Sequence, residues 1–311
     1  MSQLRPFNKI AIIGHRGWVA GPIVRALAAA SRDTPVRILH RSQSSTDDLP
    51  DNTETVPFSW ENESSITAGL KGVDVLLSLI GHEGLHYQNK LIGPIKKAGV
   101  KLFAPSDLAL PYTSEERATV EVPRSKEELE HEMKENGVPY VTILSGNFDS
   151  FALDSPYMGV DLPNNRIVHT GDSRNNATYL CSREYVAAAY VSLFLQTKPQ
   201  ELAGRTIGLN ELRPTGADVE NVMAERAGKP PRVAYETVEA MRIKARDQGD
   251  LAALVRKKMG DGTHGVGNDI WEVEGYKKKT IEDLLLHGAL DKKQYAPTDD
   301  GALHHLDPYF T

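Results

Sequence analysis

The sequence predicts an α/β protein built on a doubly wound parallel sheet. Apolar, β-branched runs alternate with helical stretches through the first 150 residues. The first run, Lys9-Ile-Ala-Ile-Ile13, stops at a glycine, as a buried parallel strand does. That glycine belongs to a cluster leading into an alanine-rich helix, the place a dinucleotide-binding turn occupies.

The elements follow in order. Residues 9–13 form the first strand, and residues 22–30 a helix with Ile23, Leu27 and Ala30 on one side. Residues 36–40 and 55–58 give two more strands, and residues 73–80 the most apolar one. A helix over 86–98 and a strand over 100–104 come next. Ser125-x-x-Glu128 is a capping-box pattern that would open a charged helix over 125–136. Residues 140–144 close the series as a sixth strand, and such alternation implies right-handed crossovers. After Gly146 the sequence turns rich in Pro, Gly, Asn and Asp, with one strand near 166–170. Helices are expected over 183–195, 217–228 and 237–248, with a late strand at 205–209. Beyond about residue 260 the signal is weak. The expected organisation is a nucleotide-binding domain over 1–150 and a smaller substrate lobe over 151–311, with elements of about 180–210 returning to the sheet.

Composition narrows the function classes. The 311 residues are 40% hydrophobic and 25% charged, a balance able to bury a core. No apolar run approaches the ~18 residues that cross a bilayer, and the first nine residues lack a signal-peptide core. A net charge of −6 argues against a broad nucleic-acid or anionic-membrane surface. Cys181 stands alone, which excludes a disulfide framework and fits a reducing, cytoplasmic setting. Asn62-Glu-Ser64 and Asn176-Ala-Thr178 match the glycosylation pattern but carry little weight without a secretory signal.

The glycine cluster runs Gly14-His15-Arg16-Gly17-Trp18-Val19-Ala20-Gly21. Gly14 would make the tight turn, and Gly17 would let backbone N–H groups approach a pyrophosphate cradled by Gly14 to Val19. Ala20 would let the helix pack close to the strand. The second strand ends in Arg41-Ser42, with no acid until Asp47. An acid there would accept ribose hydroxyls, whereas a guanidinium engages a 2′-phosphate through two N–H bonds. Arg41, helped by Arg16, therefore favours NADP(H) over NAD(H).

His82-Glu-Gly-Leu-His86 spells the zinc-protease pattern H-E-x-x-H. It begins at a strand end, contains Gly84 and lacks a third ligand downstream, so no metal is expected; His82 or His86 would instead line a pocket above the cofactor. His304-His305 reads as exposed tail.

Four ordered segments carry a family resemblance: the glycine turn with Arg41; Gly72-Val-Asp-Val-Leu-Leu-Ser-Leu-Ile-Gly81 with Gln88; Ala98-Gly-Val-Lys-Leu-Phe-Ala-Pro-Ser-Asp107; and Gly137-Val-Pro-Tyr-Val-Thr142 leading to Gly146-Asn-Phe148. With them the chain resembles the NmrA-like and isoflavone-reductase-like branch of the atypical short-chain dehydrogenases. Residues 9–150 fit well. Residues 165–240 fit more loosely, through Arg183-Glu-Tyr-Val-Ala187 and Leu209-Asn-Glu211, and the last 70 carry no recognisable motif. The resemblance implies a Rossmann fold, NADP(H), and a lysine ahead of the (I/V)PY strand whose spacing falls on Lys126. It also implies Gly81 beside the nicotinamide ribose, with Asn147 and Phe148 near the nicotinamide. Placed just after a Ser125 cap, Lys126 would oppose the helix dipole, which eases proton release. The Tyr-x-x-x-Lys signature of ordinary short-chain dehydrogenases is missing, since Tyr87 and Lys90 sit one residue too close. The expected activity is an NADPH-dependent reduction of a small aromatic or conjugated substrate, its pocket drawn from residues 150–180 and 240–290. The rival expectation is a non-catalytic NADP(H)-sensing regulator, a type found among family members that lack the lysine.

Overall fold

A computed structural model describes residues 8–31, 34–291 and 304–311. Five parallel strands open the chain: β1 (Ile10–Ile13), β2 (Val36–Arg41), β3 (Thr53–Phe58), β4 (Val75–Ser78) and β5 (Leu102–Ala104), in the order β3-β2-β1-β4-β5. The crossover helices are α1 (Ala20–Ala30), α2 (Glu63–Gly69), α3 (Ile92–Ala98), α4 (Ser114–Thr119) and α5 (Glu121–Glu135). The chain winds outward from β1 to β3, then returns to place β4 on the other side of β1. Between β1 and β4 the winding reverses, which opens a crevice at their carboxyl ends.

The sheet continues past β5. Tyr140 bridges Phe103 and leads into β6 (Thr142–Leu144), beside which β11 (Thr206–Leu209) and β13 (Ile270–Trp271) lie parallel. Both faces of the central strands are covered, which explains why β1 and β4 read as continuous apolar runs. On β1, Ile10 and Ile12 pack with Ile23 and Leu27 of α1, whereas Ala11 and Ile13 face Leu129 and Met133 of α5.

Between β6 and β11 the chain forms β7 (Asn147–Phe148), α6 (Asp149–Leu153), β8 (Val160–Asp161), β9 (Arg166–Thr170), β10 (Leu180–Cys181), α7 (Arg183–Tyr190) and α8 (Pro199–Leu202). Helix α7 continues as a π-turn over Val191–Leu195 and packs on α1. Then come α9 (Gly216–Ala227), β12 (Arg232–Glu236), α10 (Val238–Gln248), α11 (Leu251–Gly260) and, after β13, α12 (Ile281–Leu285). Strands β12, β9 and β8 form a separate small sheet, and α9 and α12 share a second apolar cluster. Among the described residues no helix is long and apolar enough to cross a membrane.

The structure corrects two sequence expectations. Residues His82–Leu91 form 3₁₀ turns, and only Ile92–Ala98 is α-helical, so the helix expected over 86–98 is half as long. Ser125 caps nothing: α5 begins at Glu121, after an extended Val120, and carries Pro123 in its first turn. The working capping box lies earlier, between Thr113 and Glu116 at the start of α4. Both sites have the pattern, but only Thr113 has the extended backbone that a cap requires.

Candidate active site

A cleft of about 1080 Å³ opens at the carboxyl ends of β1 and β4. Its walls include all eleven residues singled out above: Gly14, His15, Arg16, Gly17, Trp18, Val19, Arg41, Gly81, Lys126, Asn147 and Phe148. Gly14 adopts φ +90°, and a Cβ there would stand 2.7 Å from the Leu79 carbonyl carbon and the Ile80 nitrogen. The turn thus runs hard against the end of β4, where only glycine fits. Gly17 is different: a Cβ would meet nothing closer than the Leu79 oxygen at 3.6 Å. Its small size is not demanded by the packing behind it. Helix α1 starts at the cleft with no side-chain cap and no acid in its first turn. The Gly21 N–H closes back on the Gly17 carbonyl at 3.1 Å and Pro22 has no N–H, so the anion-facing end of α1 is its first position, Ala20, together with the turn before it.

Arg41, the last residue of β2, and Arg16, in the glycine turn, are both exposed and both face the cleft. Asp47, the first acid after the strand, accepts the Ser45 hydroxyl at 2.9 Å. His15 is buried, its Nε2 3.2 Å from the Ser45 carbonyl oxygen, and burial holds its pKa below the usual imidazole value. Gly81 has open space where a side chain would stand. Trp18 meets Phe148 edge to face, with ring centroids 5.3 Å apart. Asn147 is buried beside them, and its Nδ2 has no hydrogen-bond partner.

Lys126 is the sixth residue of α5, beyond the first turn, so the field of the helix terminus does not govern it. Its Nζ donates to the Asp107 carbonyl oxygen at 2.8 Å and to Asp107 Oδ1 at 2.7 Å. The side chain is only 8% exposed. This is a lysine drawn inward by an ion pair, set in a helix most of whose other charges are exposed. Asp107 is fixed in turn through its neighbour: the Ser106 N–H donates to Gln88 Oε1 at 2.8 Å, and its hydroxyl to the Ile80 carbonyl at 2.7 Å. His82 also lines the cleft, and burial together with the nearby Lys126 charge lowers its pKa.

Several lining residues escaped sequence reading. Phe151, Leu251, Ala252 and Val255 come from the broad stretches expected to supply the pocket, but Tyr112 and Val122 do not. Leu251, Ala252 and Val255 belong to α11, which no motif announced. This helix is tied to α4 by Glu116, whose carboxylate takes Lys257 at 3.1 Å and Lys258 at 2.9 Å. Burial raises the Tyr112 phenol well above its ordinary value.

The H-E-x-x-H stretch lies on 3₁₀ turns, where a Cβ on Gly84 would collide with Ile80 Cγ2 at 2.5 Å. His86 packs against Tyr87 and does not line the cleft. Among the described residues no group of three His, Cys, Asp or Glu side chains could hold a metal ion. His304 bonds to Asp307 at 2.7 Å, while His305, expected to be exposed, is partly buried against Tyr157.

Comparison with known proteins bears on the fold and the family. Over 187 residues the chain is 27% identical to eugenol synthase 1 of Petunia hybrida, and over 190 residues 26% identical to phenylcoumaran benzylic ether reductase 1 of Arabidopsis thaliana. Each match covers 55% of this chain and 60% of the relative, so the chain spans well under two thirds of these curated relatives. Among solved structures, an isoflavone reductase superposes with a TM-score of 0.73 at 19% identity, covering 90% of this chain and 99% of that one. A leucoanthocyanidin reductase from Vitis vinifera gives 0.69 at 18% identity, covering 85% and 92%. At such identities the likeness is one of fold. The model of the NmrA-like family matches residues 6–281, nearly the whole chain, and the protein belongs to that family.

Proposed function

We propose that the protein is an NADPH-dependent reductase acting on a small, uncharged, aromatic or conjugated substrate, with Lys126 handling the proton that accompanies hydride transfer. One observation carries this reading: the glycine turn at the start of α1, two exposed arginines, one in that turn and one at the β2 end, and an inward-drawn, paired lysine all converge on one cleft. The solved leucoanthocyanidin reductase complex holds NADPH, and another solved structure of similar fold holds NADP⁺ and (+)pinoresinol, which supports the cofactor class.

The residues fit the cofactor part by part. The backbone of Gly14 to Val19, leading into the start of α1, would hold the pyrophosphate, and Arg16 and Arg41 the 2′-phosphate. The unpartnered Asn147 Nδ2 is a buried donor awaiting an acceptor, and Phe148 offers a ring face or edge beside it. Bound NADPH supplies the hydride. Tyr112, Phe151, Leu251, Ala252 and Val255 enclose the remaining space with mostly apolar surface, which excludes water and disfavours charged substrates. Lys126 then directs an N–H at substrate oxygen, stabilising or protonating it as negative charge develops.

Thermal unfolding with each nucleotide tests the cofactor assignment. NADPH at 100 times its Kd should stabilise the fold by about 2.7 kcal/mol. Equal stabilisation by NADH would remove the role given to Arg16 and Arg41, and no response to any nicotinamide nucleotide would remove the site.

A further inference from the structure

Trp18, the aromatic residue inside the glycine turn, is gripped by a residue from far along the chain. Arg183, the first residue of α7, donates from Nη1 to the Trp18 carbonyl oxygen at 2.8 Å. Its guanidinium also lies over the Trp18 ring, 4.5 Å from the centroid. The ring meets Phe148 edge-on at 5.3 Å. Trp18 is thus held between a cation and an aromatic edge, with its own backbone tied to the same cation. Arg183 is further fixed by an ion pair with Asp291.

The position of Arg183 makes the contact notable. It stands in the first turn of α7, capped by Ser182, where a cation opposes the helix dipole. The contacts to Trp18 and Asp291 offset that unfavourable placement. A planar guanidinium can stack on the indole and donate in its own plane at once, which an ammonium cannot. The rest of the turn is held from the first half of the chain, by Gly14 against the end of β4 and by the Gly21 N–H on the Gly17 carbonyl at 3.1 Å, and Arg183 adds a hold from the second half.

We propose that Arg183 is a positioning residue for the cofactor: by clamping Trp18 it holds the glycine turn, and the Phe148 edge beside it, in the conformation that receives the pyrophosphate and nicotinamide. This rests on the cofactor reading above. It adds that the second half of the chain completes a turn whose sequence lies wholly in the first.

NADPH titration of the purified full-length protein, followed by calorimetry, tests it. Arg183→Ala should weaken NADPH binding about tenfold, equivalent to about 1.4 kcal/mol. Arg183→Lys should restore only part of the loss, because it keeps the charge without the planar stack. The double variant with Trp18→Leu should lose less affinity than the two single losses added together, since part of the action of Arg183 runs through that ring and only its bond to the backbone carbonyl survives in Trp18→Leu. Melting temperatures without nucleotide separate a merely structural role. Loss of stability with unchanged NADPH affinity would overturn the proposal, as would additive losses in the double variant or full rescue by lysine. Wild-type protein that fails to bind NADPH would instead overturn the cofactor reading.

Discussion

Lys126 spends two of its three N–H groups on Asp107, one on the carbonyl oxygen and one on the carboxylate, which leaves a single donor for the cleft. On the proposed function, Lys126→Ala should lower kcat by about 100-fold or more while leaving NADPH affinity within about threefold of wild type. Steady-state kinetics beside a binding titration would check this, and an unchanged kcat would rule the lysine out of the chemistry. Asp149 shows a second buried charge with a different consequence. It is 3% exposed, and burial pushes its carboxyl up to about 7, against the opposing pull of the Ser150 N–H and Lys279. The folded protein therefore binds this proton more tightly than the unfolded chain, so stability declines as pH rises from about 4 to about 7. Asp149→Asn should flatten that decline and stabilise the protein at pH 8, by up to about 4 kcal/mol. Urea unfolding at pH 5 and pH 8 reads the difference, and equal pH dependence in both proteins would refute it. Neither residue's environment is visible in sequence. The spacing that marks Lys126 gives no hint of Asp107, nineteen positions away along the chain.

At the level of elements, α11 shows how a helix with no motif can shape the site. Its Asp250 cap accepts the Ala253 N–H at 3.0 Å, and Leu251, Ala252 and Val255 turn into the cleft. The helix is anchored by Glu116 of α4, which is paired with Lys257 and Lys258. Burial alone would raise the Glu116 pKa, but the Thr113 N–H bond and the Lys258 charge outweigh it and hold the pKa below the usual value. A lowered carboxyl contributes stability above its unfolded pKa and loses it as pH falls through the folded one, so this clamp loosens only in acid, below about pH 4.5. Glu116→Ala leaves Lys258 buried without its partner and should cost about 3 kcal/mol at neutral pH. Denaturant midpoints would register it, and a loss under about 0.5 kcal/mol would mean the pair is dispensable. A local signal for α11 did exist, an N-cap aspartate before an apolar run. The start of α5 was legible too, because Pro123 suits a first turn and not the outside of a helix opening at Ser125.

Across the whole molecule, the end of the described chain docks on the small sheet. Leu306 is fully buried, Asp307 pairs with Arg166 at 2.7 Å, and Tyr309 donates to Glu236 at 2.5 Å. Phe310 lies against both Arg166 and Arg232. Leu306→Ala should therefore destabilise the protein by about 3 kcal/mol, the cost of emptying a filled apolar site. A change under about 0.5 kcal/mol by thermal or urea unfolding would show that the segment adds little.

By itself the sequence determined the winding of the sheet, the glycine turn and the basic end of the second strand. Those features are set by short-range patterning: apolar runs, glycine at a forced φ, and residue type at a strand end. Tertiary structure decided what surrounds them. It brought Asp107 to Lys126, Arg183 to Trp18 and α11 over the cleft, and it moved the helix start four residues ahead of the expected one. Those pairings join residues that are far apart along the chain, and only packing selects which buried charges meet. The opening prediction of a doubly wound α/β sheet thus stands, while the chemistry of its cleft depends on contacts that no local pattern encodes.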